Sequence, residues 1–313
     1  MVIVGFSVIF TAESRSLYKV GVIGVEEAVP TRHDAWMKAF REIRYIEFIH
    51  FESEDDALKK LRHHRIDLLI NPATATYWSS DTSPSGYVVE RLLISSGAPA
   101  ANVLKKERVT DAEIPYIEWL FPGILGMNIM FSALFGVGYV VVTYRKNGVL
   151  KRMSATPLRP WEFITAQILS RMFLLLATTS VVFAGCKLLY GFQVRGSYMA
   201  LILVFLLGGF SMISLALVVA SRSASEEFAG GILNLITWPM MFLSEVWFSL
   251  EGSRPWVQKA SKVFPLTQMI DAARMIMNDG AGIGEVRSQL GVLFLMSTVF
   301  IITGSLLFTW QKK

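Results

Sequence analysis

Several things are scarce in this 313-residue sequence, and each scarcity excludes something. Cysteine occurs once, as Cys186. That rules out an intramolecular disulfide framework and any cysteine-rich metal site. Histidine occurs four times, at His33, His50, His63 and His64. His63 and His64 are adjacent, so on a helix they point about 100° apart and chelate poorly together; no spacing here matches a known metal site. Charged residues make up 18%, against about 25% in an average soluble domain. There is no Gly-x-x-x-x-Gly-Lys-Ser/Thr loop, so the chain is not expected to bind and hydrolyse ATP by itself. Gly-x-Ser-x-Gly and His-Glu-x-x-His are equally missing. The acidic run Glu52, Glu54, Asp55 and Asp56 reads as the solvated start of a helix. No catalytic, cofactor-binding or metal-binding residue is assigned, and the chain is not read as an enzyme.

What is abundant is apolar: 53% of residues are hydrophobic. Charge is divided unevenly, with 14 Lys/Arg and 16 Asp/Glu over residues 12–115, then 16 and 9 over residues 116–313. The basic excess therefore lies in the lipid-rich half, which disfavours nucleic acid as a partner. A helix needs roughly 20 apolar residues to cross a bilayer. Stretches at about 119–144, 163–186, 196–221 and 288–311 qualify, and 228–246 is a shorter fifth. Arg171 lies inside the second, where it either snorkels to the headgroups or stands as a buried functional cation. The loop at 145–160 holds Arg145, Lys146, Lys151, Arg152 and Arg159 without an acid. The rule that basic loops stay inside makes that loop cytoplasmic, together with the C-terminal Lys312 and Lys313. By parity the residues before Tyr116 are extracytoplasmic. MVIVGFSVIFT covers about half a bilayer, so residues 1–17 read as part of a first span whose start is absent.

Residues 18–115 read as an α/β insert. YKVGVIGV, IEFIHF and IDLLINP suggest strands. Pro30 to Ile43, Ser53 to Arg65 and Tyr87 to Ser95 suggest helices, the second with a Ser cap, acids first and bases last. This alternation favours a mostly parallel sheet.

Two places in residues 116–313 break the pattern of plain spans. In the basic loop, Asn147-Gly148 interrupts the chain, and Val149, Leu150 and Met153 form an apolar set around Lys151 and Arg152. A short helix docking on a cytoplasmic partner and an interfacial anchoring loop both fit. Between the fifth span and the last, residues 249–285 are too polar to cross and are broken at Gly252 and Pro265. They fit a re-entrant hairpin of two short helices, Pro255 to Val263 and Leu266 to Met277, or a plain extracellular loop. Glu245, Glu251, Arg254, Asp271 and Arg274 are its polar groups.

The run FPGILGMNIMFSALFG, the loop RKNGVLKRMSATPLRPWEF and the later LSEVWFSLEG and PWVQKASKVFPLTQMIDAARMIMNDG occur in an order and spacing that resembles ABC-2-type transporter permeases. The extracytoplasmic insert and the LLINP ending of its third strand fit the same family. The resemblance implies an α-helical polytopic membrane protein of six spans with an extracytoplasmic α/β insert domain, the first span incomplete here. It also implies a bacterial inner-membrane subunit that dimerises, with a second copy or a paralogue. A separate ATPase, which binds ATP and Mg, would dock on a cytoplasmic coupling helix, with a periplasmic adaptor a further partner. By position, Arg145, Gly148, Leu150, Lys151, Arg152, Thr156, Pro157 and Leu158 fall on the coupling region. Glu245, Glu251, Pro265, Leu266, Asp271 and Arg274 fall on the outer-gate hairpin, with Gly280 at its end. Val149 and Lys151 replace a usual Thr and Glu, and Glu245 replaces a more usual Gly.

These features point to the permease subunit of an ATP-driven exporter of unidentified substrate, in which Arg152→Glu with Leu150→Asp uncouples the ATPase. The alternative is a membrane-anchored extracytoplasmic sensor or adaptor, although the cytoplasmic segments are too short for a signalling domain. A secondary transporter would favour mid-membrane ionisable groups, and the spans offer little beyond Arg171.

Overall fold

Short strands of three to six residues come first along the chain and long apolar helices follow, in a computed structural model describing residues 17–24, 34–96, 104–107, 114–153, 155–191, 193–222 and 225–307. The expected first span, the start of the helix expected from Pro30 and the terminal lysines lie outside the described residues. The chain forms two units: Met1–Trp119 with Phe248–Gln258, and Leu120–Trp247 with Lys259–Lys313.

The first unit is α/β. Its elements are β1 (Tyr18–Ile23), α1 (Asp34–Arg41), β2 (Ile46–Phe51), α2 (Glu54–Arg62), β3 (Leu68–Asn71), β4 (Thr76–Ser79), α3 (Pro84–Ser95) and β5 (Lys105–Glu107). The sheet order is β2-β1-β3-β4-β5. β1 pairs in parallel with β2 and β3, so that Val20 faces Phe48 on one side and Leu68 on the other. The expected parallel strands are therefore present. β4 is an addition, antiparallel to β3 after the Asn71 turn, where Asn71 Oδ1 accepts from Ala73 N and Thr74 N. Val20, Leu68 and Ile70 are buried against Phe40, Val89 and Leu93 on one face of the sheet, and Leu69 and Trp78 against Ala57 and Leu61 on the other. Ser53 stands at the N-cap of α2 in extended backbone but makes no side-chain cap bond, whereas Ser83 caps α3 by accepting from Gly86 N.

Asp67 sits at the start of β3 and accepts from Lys19 N at 2.8 Å and from the Ser85 hydroxyl. Burial pushes its carboxyl above the ordinary carboxylate range despite those bonds. His64 is a structural residue: its Nε2 lies 2.7 Å from Ile114 O, and its ring stands edge-on to Tyr116 and Trp119.

The second unit is helical. It contains α4 (Tyr116–Lys146, from Leu120), α5 (Val149–Met153), α6 (Pro160–Tyr190), α7 (Tyr198–Arg222), α8 (Glu226–Leu243), α10 (Pro265–Asp279) and α11 (Arg287–Leu307), while α9 (Pro255–Ser261) straddles the boundary. Among the described residues α4, α6, α7 and α11 are long and apolar enough to cross a membrane. α8, the shorter fifth stretch of the sequence, has 18 residues, about 27 Å of rise, and is not one of the four. Buried residues of α4, α7, α8 and α10 form one core with Leu134, Val204, Leu233 and Ile270 in it. α6 and α11 are mostly exposed along their lengths. Exposed apolar helix surface of this kind suits lipid or another protein.

Candidate functional site

Most of the residues singled out in the sequence fall in the second unit, in two groups. At the basic end, α4 stops at Lys146 because Gly148 turns the backbone to φ +70°, a conformation glycine adopts without steric cost. α5 follows at once, its first bond running from Arg152 N to Gly148 O. The short helix has an inner and an outer side. Leu150 is fully buried in the core of the unit, and Met153 and Leu158 pack partly against it. Lys151, Arg152, Thr156 and Pro157 are exposed. Thr156 Oγ1 donates to Met153 O, and Glu162 accepts from Arg159 N to start α6.

This separates residues that the sequence had grouped together. The apolar peg of α5 points inward through Leu150, so the face left for a partner is the charged and polar one. Arg145 is also turned inward. Its Nη1 donates to Ala220 O at 2.8 Å and its Nη2 to Ser221 O at 3.1 Å. Those carbonyls end α7, where the last turn lacks intrahelical donors and the helix dipole favours a cation. Beside it, Glu226 in the first turn of α8 accepts from Thr143 Oγ1 at 2.8 Å and Lys146 Nζ at 3.2 Å. The Thr143 bond, then Lys146, hold its carboxyl below the usual range. The sequence reading missed Thr143 and Glu226; the only local signal was the Ser225 cap before two acids. Together these bonds tie the end of α4, just before α5, to the ends of α7 and α8.

The hairpin end is built differently. α10 begins at Pro265, as a proline at the first helical position allows. It ends at Gly280, φ +77°, with Ala281 N bonded to Met275 O. Pro265 and Leu266 are buried, as are most of its residues. Gly126 makes room for this helix, since a Cβ there would meet Ile270 at 2.9 Å. Arg274 is 4% exposed; its Nη2 donates to Glu245 O at 2.8 Å, and its Nη1 lies 3.9 Å from Glu245 Oε2. Glu245 has φ +54°, a left-handed conformation that side chains with a Cβ adopt at a cost. A glycine would adopt that backbone without the cost. Gly123 on α4 packs so close that a Cβ would stand 2.8 Å from Val246 O. Ser244 and Thr267 hydroxyls bond at 2.9 Å. Asp271 lies on α10, partly exposed.

Glu251 does not join this cluster. It belongs to the α/β unit, where it pairs with Lys60 at 2.8 Å and Arg65 at 3.6 Å. Nearby, Lys19 Nζ donates to Ser249 O and Leu250 is buried. The first residues of the stretch 249–285 thus do not group with the rest of it. Residues 248–258 fold with the sheet, because a buried leucine and three cations of that unit hold them there.

The sequence pattern of ABC-2 family transporter proteins matches residues 1–306. The daunorubicin resistance ABC transporter permease protein DrrB1 of Streptomyces coeruleorubidus is 24% identical over 196 residues, 61% of this chain and 68% of that protein. The inner membrane transport permease YhhJ of Escherichia coli is 24% identical over 191 residues, 60% of this chain and 51% of that protein. The aligned part thus spans about half of the second relative.

Proposed function

The chain belongs to the ABC-2 transporter family, and from that premise we propose that it is the membrane subunit of an exporter driven by a separate ATPase. The observation that carries the reading is the two-sided α5. Its inner side is fixed in the unit through Leu150, and its outer side presents Lys151, Arg152, Thr156 and Pro157. A partner that holds the outer face moves the inner one with it. Arg145, Thr143 and Glu226 sit where that movement reaches the ends of α7 and α8. Docking of ATPase subunits on nucleotide binding would then shift the spans between two arrangements, by as much as the partner's contacts differ between them. We place α5 in the cytoplasm on its basic composition, and the α/β unit outside.

The same mechanism calls for a second copy of the chain. Asn128 and Ser132 on α4 and Asn234 on α8 are exposed within apolar helices. Beside them Phe131, Phe135 and Tyr139 stack along one face at 5.9 and 6.2 Å. Polar side chains in a span face protein or water rather than lipid, so this face suits a dimer interface that opens around an amphiphilic substrate.

The test is purification from native membranes. The wild-type chain should retain an ATPase, and Lys151→Glu with Arg152→Glu should lose at least about tenfold of it, equivalent to about 1.4 kcal/mol. Because both residues are exposed, folding stability should change by less than about 0.5 kcal/mol. Leu150→Asp is unsuitable, since it would bury a carboxylate in the core. An undiminished association would contradict the proposal and favour the sensor reading.

A further inference from the structure

Arg171 stands apart from both ends. It lies eleven residues into α6 from Pro160, about 16 Å of helical rise. Its guanidinium occupies the notch left by Gly136 on α4: a Cβ there would come within 3.0 Å of Nη1 and 3.3 Å of Cζ. Gly136 is ten residues from the end of α4, about 15 Å up that helix. The charged head is therefore level with its own backbone and not extended toward the helix ends, which is where a snorkelling arginine would place it.

A guanidinium is a permanent cation with five donors and no acceptor. Among the described residues nothing donates to or accepts from this one and no ion pair forms with it. The sequence supplies no remedy, because none of the apolar stretches at 119–144, 163–186, 196–221, 228–244 and 288–311 contains Asp or Glu. A second copy would bring the same five acid-free stretches. Among the described residues no counter-charge stands at this depth, which leaves the place open to a molecule outside this chain. α6 is exposed over most of its length, with Leu169, Phe173 and Leu174 open beside Arg171. Access is thus lateral, from the bilayer.

We propose that Arg171 in the Gly136 notch binds the anionic head, phosphate or carboxylate, of a membrane-dissolved amphiphile. The planar fork matches either group by paired hydrogen bonds, and the apolar flanks of α6 take the tails. Gln167, one turn along the same helix and partly buried, adds an amide at the edge of the site.

The experiment is lipid retention by the purified full chain, read by native mass spectrometry after exposure to phosphatidylglycerol, oleate or phosphatidylcholine. Wild type should hold an anionic species about tenfold better than phosphatidylcholine, and the phosphate and carboxylate arms show which head fits. Arg171→Gln should abolish the preference, and Arg171→Lys should keep part of it, because a point charge lacks the fork. Gly136→Val keeps the charge but fills the notch, and should also abolish the preference; it serves if Arg171→Gln does not fold. No preference in wild type, or one unchanged in Arg171→Gln or Gly136→Val, would overturn the proposal. So would a preference that disappears only with Lys151→Gln and Arg152→Gln. None of these readings needs the ATPase, so the outcome is independent of the exporter assignment.

Discussion

Lys146 and Glu226 pair at 3.2 Å with 55% and 28% of their side-chain surfaces exposed, whereas Arg274 and Glu245, at 3.9 Å, keep only 5% and 12%. Both pairs tie one helix of the membrane unit to another segment, yet their physics differs. At the basic end, water screens the charges and the pair can break and reform at small cost. At the hairpin end, removing either partner leaves a desolvated charge behind. The basic end is therefore suited to movement under a partner, and the hairpin end to holding α4, α10 and the turn at Glu245 in one arrangement.

The largest effect expected from that difference is at the hairpin. Arg274→Ala should lower unfolding stability by about 3–5 kcal/mol, seen as a clear drop in the thermal midpoint of the purified chain. Lys146→Ala, measured side by side, should leave the midpoint unchanged; equal losses would erase the contrast. A smaller effect is expected at Asp67, a buried acid held by hydrogen bonds from Lys19 N and the Ser85 hydroxyl. Its raised carboxyl means the folded state holds the proton more tightly than the unfolded chain. Its contribution to stability therefore falls as pH rises from the ordinary 3.8 through the raised value. Asp67→Asn should remove that slope and change stability at neutral pH by no more than about 1 kcal/mol. Hydrogen exchange of β1 and β3 in wild type and variant at matched pH would show it.

The same contrast explains what could be read from the chain. Spans 119–144 and 163–186 were legible because twenty or more uncharged or nearly uncharged residues allow few other structures, and α4 and α6 extend them by only a few residues at each end. Asn147-Gly148, Pro265 and Gly280 were legible because glycine and proline act locally. β4 was not, since TYWS is four residues long and pairs only because the Asn71 turn returns it to β3. The inward direction of Leu150 was hidden as well: five residues of helix fix a facing only when packed on neighbours. The placement of Glu251 with Lys60 joins residues 191 apart, and no local pattern announces such a pairing. The left-handed φ of Glu245 was hidden too, since a glutamate does not announce such a backbone.

The central claim is that the exposed face of α5 lies in the cytoplasm, where an ATPase can hold it. Single cysteines at Lys151 and at Ser85, in a Cys186→Ser background, test it with a membrane-impermeant maleimide on intact cells. The account predicts that the position at Ser85 is labelled from outside and the one at Lys151 only after the membrane is permeabilised. Labelling of the Lys151 position in intact cells would contradict it.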